Sequence, residues 1–164
     1  MMLAVTLVND APVAKLNYKF KYQGKISHKS THQELPALFF WTGLSKLALY
    51  TGTSPFTNAP IKHIQPIVRP EPVPDQVDAT ENWAAYVDDN DWGVGVYFPY
   101  TTSLGYYIVK DEGNPEDSNC SYMAPIKDMA ITSPFDYEYE VVLIVGNIET
   151  IRNTVYELNA KKNS

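Results

Sequence analysis

The sequence predicts a mainly β protein: an antiparallel β-sandwich with a short C-terminal amphipathic helix. Three observations carry that reading. Residues 13–22 and 137–145 alternate apolar and polar side chains with the period of two that a half-buried strand requires. Residues 81–99 set two alternating runs around an acidic turn, the pattern of a β-hairpin with a four- or five-residue loop. Twelve prolines spread over 164 residues leave little room for long helices.

The elements follow in chain order. Residues 3–8, Leu-Ala-Val-Thr-Leu-Val, read as a short strand, and residues 9–12 as a turn. In residues 13–22, Leu16, Tyr18, Phe20 and Tyr22 share one face. Lys15, Asn17, Lys19 and Lys21 share the other, and the lysines fit an edge strand guarded by charge. Gly24 ends that run. Residues 35–41 include Pro36, which suits an early or edge position, with Phe39 and Trp41 on a common face. Residues 43–50 fit neither the helical nor the strand period, so both a helical turn and a strand stay open. Residues 52–60 read as a loop and 61–68 as extended chain. Residues 69–75 carry proline at every second position and favour polyproline II. They read as an internal connection across a sheet edge, inside one domain spanning 1–164.

In the hairpin, Trp83, Ala85 and Val87 alternate with Ala84 and Tyr86. Val94, Val96 and Phe98 then alternate with Gly93, Gly95 and Tyr97. The glycine face predicts close approach of a neighbour to the backbone, an aromatic ring before a ligand. Residues 104–110 form a further strand. Residues 111–119 are acidic but lack the oxygen order of an EF-hand, and read as solvated surface. Residues 120–132 read as an edge strand interrupted at Pro125. Residues 137–145 end wholly apolar, as a strand does on entering the centre of a sheet. Ile151, Val155 and Leu158 recur at helical spacing and place a helix over 149–160. Glu149 at its start and Lys161 and Lys162 at its end agree with the helix dipole.

The formal charge of −6 and the lack of a uniformly basic surface argue against a nucleic-acid binder. No apolar run reaches membrane-spanning length, and the apolar N-terminus lacks the basic flank of a signal peptide. Cys120 is the only cysteine, which excludes an internal disulfide and a cysteine-rich zinc site. No cofactor is expected. The chain is expected to be a single domain, with the remainder of a larger parent protein as one candidate partner.

The residues with most chemistry are His28, His32 and Glu34. Their even spacing puts them on one face if the segment is extended. Two imidazoles and a carboxylate suit three roles: a polar surface turn, directional hydrogen bonds to a ligand, or a divalent metal. No third histidine follows nearby and the spacing departs from the zinc-helix motif, so structural zinc is not expected. Trp41 and Trp83 each suit either core packing or a platform beneath a sugar ring.

Three segments together resemble a known architecture: Ser27-His28 through His32-Gln33-Glu34-Leu35-Pro36-Ala37; Glu81-Asn82-Trp83-Ala84-Ala85 through Gly93-Val94-Gly95-Val96-Tyr97; and Cys120-Ser121-Tyr122-Met123-Ala124-Pro125. They are similar to segments of large β-sandwich domains in bacterial polysaccharide-processing and related exported proteins. Those domains resemble the super-sandwich of galactose mutarotases and of several lyases and hydrolases. The resemblance spans residues 25–150, and such domains are considerably longer than this chain. It implies an extracellular or periplasmic setting and a concave sheet that holds sugar. His28, His32, Glu34, Trp41 and Trp83 are the residue types that match. Three function classes follow: a glycan-binding domain without turnover, a glycan-processing hydrolase or lyase with His28, His32, Glu34 and Glu81 as acid–base candidates, and an accessory domain without a ligand.

Overall fold

The computed structural model describes residues 1–8, 11–69, 74–110 and 119–162. Among the described residues the strands are β1 (Met2–Leu7), β2 (Val13–Tyr22), β3 (His28–Glu34), β4 (Leu38–Phe40), β5 (Lys46–Leu49), β6 (Lys62–Ile64), β7 (Val68–Arg69), β8 (Asp75–Asp78), β9 (Trp83–Val87), β10 (Trp92–Tyr97), β11 (Ser103–Val109), β12 (Cys120–Ile131) and β13 (Phe135–Asn147). A single helix, α1 (Ile148–Lys162), follows. The fold is mainly β, with two sheets and a C-terminal helix of 15 residues.

The larger sheet has the order β1-β2-β13-β10-β9-β5-β6, and the smaller runs β3-β12-β11-β7, with β4 also on β12 and β8 also on β11. Strands from both sides of the proline-rich run contribute to each sheet. Val68 and Asp75, on either side of that run, both pair with β11. Residues 70–73 themselves, and 111–118 of the acidic loop, lie outside the described residues.

The core forms two layers. Between the sheets pack Leu16, Leu47, Tyr86, Phe98, Ile108 and Met123. On the far side of the larger sheet, α1 sets Ile151 and Val155 against Trp83, Ala85, Val87 and Ile144. β9 is therefore covered on both faces, and all five of its residues are buried. Asn147 caps the helix: its Oδ1 accepts the Thr150 N–H at 2.8 Å. Tyr86 ties the two sheets together, its hydroxyl lying 3.1 Å from the carbonyls of Tyr107 and Tyr122.

The β9–β10 hairpin forms in the expected register, with Gly93 opposite Val87 and Tyr97 opposite Trp83. Asp88 organises the turn, its Oδ1 accepting the N–H groups of Asn90 at 2.8 Å and Trp92 at 3.1 Å. The glycine face corrects an expectation. No aromatic ring lies over Gly95. A Cβ there would run into Ile151 Cγ2, so the glycine admits the helix. Gly95→Val is expected to cost about 1–3 kcal/mol by overpacking this seam. Urea unfolding checks it, since an unchanged midpoint would place the helix elsewhere.

Other expectations are also corrected. β2 is an interior strand between β1 and β13, because its lysines pair across the strand boundary: Lys19 with Glu138, and Lys21 with Asp136 at 2.9 Å. β12 is long, continuous and interior. The Pro125 carbonyl accepts the Leu35 N–H at 2.8 Å, so the missing donor of Pro125 faces the break between β3 and β4, where no ladder bond is lost. Residues 46–49 resolve as a strand between β9 and β6.

Candidate functional site

A heavily bonded polar cluster around Glu81 acts as a fastening. Glu81, an acid–base candidate from sequence, is fully buried. Its Oε1 accepts the Tyr156 hydroxyl at 2.7 Å, Arg152 Nη2 at 2.8 Å and the Phe56 N–H at 2.9 Å. Its Oε2 accepts Trp83 Nε1 at 2.9 Å and Arg152 Nε at 3.1 Å. Burial pushes the Glu81 pKa up, but these donors, Arg152 foremost, outweigh it and hold the carboxyl below its ordinary value. A carboxylate so saturated and shielded has no lone pair free for a substrate. It pins α1 to the loop before β6 and to the start of β9.

Trp83 belongs to the same fastening. It is 0% exposed, beneath the helix, with its indole N–H given to Glu81. The stacking role read from sequence has no ring face to act through. Trp83 also lies in the larger sheet, whereas His28, His32 and Glu34 lie in the smaller one, so the five named residues do not converge.

His28, His32 and Glu34 do lie on one extended strand, β3, and are exposed. Glu34 is opposite Ile126 of β12, and His32 is opposite Asp128. His32 Nδ1 pairs with the Asp128 carboxylate. A register shift between Met129 and Ile131 separates His28 from this row; its ring packs edge-on against Tyr22, with centroids 5.6 Å apart. Beside the His32–Asp128 pair lies a shallow polar hollow of about 210 Å³, also lined by Thr101, Ser103, Ile126 and Lys127. Among the described residues no three His, Cys, Asp or Glu side chains gather in a cluster able to hold a metal ion.

The outer face of the smaller sheet carries a second feature further along β12. Tyr107 and Tyr122 stack with centroids 4.1 Å apart, and Phe39 tilts against Tyr122 at 5.2 Å. Phe39 is 65% exposed and Trp41, two residues on, is 75% exposed. The Trp41 ring folds back over Gly43, where a Cβ would strike it. The Tyr122 hydroxyl is buried close to the Glu34 carboxylate. Burial first, and the adjacent Glu34 second, push its pKa up. Glu34 thus stands between the polar hollow and the aromatic cluster.

The sequence pointed to His32, Glu34 and Trp41 but missed Asp128 and the stacked tyrosines. Asp128 is 96 residues from His32, and only strand pairing brings the two together. Phe39 was legible by its spacing from Trp41, although that alternation was equally compatible with a core strand.

The hollow and the aromatic cluster could hydrogen-bond and stack a polar ligand. His32 on β3, Asp128 on β12 and Ser103 on β11 all line the hollow, and of these His32 and Asp128 pair directly. Among the described residues no helix is long and apolar enough to cross a membrane. Comparison with protein-family models and with curated proteins finds no match for this chain.

Proposed function

We propose that the outer face of the smaller sheet binds a neutral glycan without turning it over. The observation that carries this reading is the pair of exposed aromatics, Phe39 on β4 and Trp41 just beyond it, in the segment that follows Glu34. Large rings left in water on a sheet face that carries the His32–Asp128 pair six residues further along β12 suit an extended sugar chain. The apolar face of a pyranose stacks on the ring, and its hydroxyls take directional hydrogen bonds. His32, Asp128 and Glu34 supply those bonds. His28 belongs at most to the periphery, and Trp83 has no part. With Glu34 and Asp128 on this face and a net charge of −6, an acidic polysaccharide is disfavoured. The resemblance of residues 25–150 to super-sandwich domains of polysaccharide-processing proteins supports the same reading.

The test is titration calorimetry against a panel of neutral oligosaccharides. Saturable binding without released product is expected. Trp41→Ala should weaken it about tenfold, or ~1.4 kcal/mol, with the melting temperature unchanged because the ring is exposed. Absence of binding across the panel would sink the proposal in favour of a ligand-free accessory domain. Product that disappears in Glu34→Gln would instead establish the glycan-processing enzyme.

A further inference from the structure

Among the described residues the outermost strand of the larger sheet, β1, has β2 on one side and no strand on the other. All six of its residues, Met-Leu-Ala-Val-Thr-Leu, are exposed. An open edge presents a row of backbone donors and acceptors to any strand of matching length. Proteins normally blunt such an edge with charge, proline, a bulge or brevity, and the other edges here are blunted in that way. β6 has three residues, including Lys62, between Pro60 and Pro66. β3 carries Lys29, two histidines and Glu34. On the far edge of the smaller sheet, β7 has two residues, and β8 begins and ends with Asp. β1 has no charged side chain, no proline and an unbroken register with β2.

The side chains of β1 show the same incompleteness. Leu3, Val5 and Leu7 lie opposite Tyr18, Leu16 and Ala14, which puts them on the face that looks toward the smaller sheet. All three are nevertheless exposed, so the smaller sheet does not reach this far across the larger one.

We infer that β1 is a self-association edge, and that its occupant is β1 of a second copy of this chain, running antiparallel about a two-fold axis at Val5. The sequence is self-complementary in that register: Leu3 meets Leu7, Val5 meets Val5, Leu7 meets Leu3, and Ala4 meets Thr6 on the opposite face. No like charges oppose one another. Head-to-tail growth is blocked, because the other end of the larger sheet is the short, basic, proline-flanked β6. The assembly therefore closes as a dimer and does not extend into a filament. Two six-residue strands bury less than a standard interface of roughly 1,200–2,000 Å², so the dimer dissociates on dilution.

Sedimentation velocity over a wide concentration range provides the first test, with twice the chain mass expected at high concentration and the single chain on dilution. Val5→Lys sets two ammonium groups against each other on the axis and is expected to hold the protein monomeric throughout, with an unchanged melting temperature because the site is exposed. In a Cys120→Ser background, Val5→Cys should cross-link on mild oxidation. Leu3→Cys should not, since the proposed register separates the two copies of residue 3 by four positions along the strands, beyond disulfide reach. A chain that stays monomeric at every concentration overturns the inference. So does a dimer that survives Val5→Lys, or cross-linking of Leu3→Cys as ready as that of Val5→Cys. A monomer whose β1 amides gain protection only with an added strand peptide would assign the edge to a different partner and likewise overturn self-association.

Discussion

Arg152→Ala is expected to lower stability at neutral pH by about 3–5 kcal/mol, the usual cost of removing one partner from a buried ion pair. Glu81 would stay fully buried, keeping Trp83, Tyr156 and the Phe56 N–H but losing its counter-ion and two of its five hydrogen bonds. The guanidinium also lies over the rings of Tyr50 and Tyr156, at 5.7 and 5.3 Å from their centroids, so packing is lost as well. The effect should depend on pH in a definite direction. In the parent protein the Glu81 pKa is below its ordinary value of 4.5. The stability it contributes is therefore fully present above that value and is lost as pH falls through the lower, folded-state pKa. In the variant, burial without the cation favours the protonated acid, so the penalty shrinks as the medium becomes acidic. Urea unfolding at pH 7 and near pH 4 should show the two proteins drawing closer in stability at the lower pH. A constant gap would mean that Arg152 acts through packing alone.

Trp83→Ala is expected to cost about 3–5 kcal/mol, the range for deleting a large buried aromatic. The cavity opens beneath α1, and Glu81 loses its indole donor in the same step. The contrast with Trp41→Ala is the informative part. Trp41 is exposed, so its removal should leave stability within about 0.5 kcal/mol while weakening sugar binding. Thermal melts and the oligosaccharide titration on both variants separate the roles. If Trp83→Ala melts with the parent protein, the helix is not seated on this ring.

The two tryptophans show where a linear reading reaches its limit. Both stand in alternating apolar runs, and either is large enough for core or platform. What separates them is the layer added by α1. Its helical spacing and terminal charges were legible, but its docking surface was not. Once the helix covers the larger sheet, β9 becomes a strand buried on both faces, and Trp83 takes a structural partner in Glu81. Glu81 itself read as a reactive carboxylate, because its five donors come from segments up to 75 residues distant.

What the sequence by itself determined is local. Period-two alternation marks the long strands, Asp88 to Asp91 the hairpin turn, and the Ile151–Val155 spacing the helix. Each follows from interactions within a few residues, where backbone geometry and side-chain direction suffice. The mainly β, two-sheet fold with its C-terminal helix is the sum of those local signals. Only the tertiary structure decided which strands are edges. Lys19 and Lys21 signal an edge when read alone, but they sit in an interior strand because β13 carries the matching acids. Pro125 signals an interruption, yet it lies inside an unbroken strand because its missing donor meets a gap. The candidate site was decided in the same way. His32 and Glu34 were placed on one face by strand periodicity. Asp128 and Tyr122 join them only through pairing across roughly ninety residues, a contact set by sheet order, which no local pattern encodes.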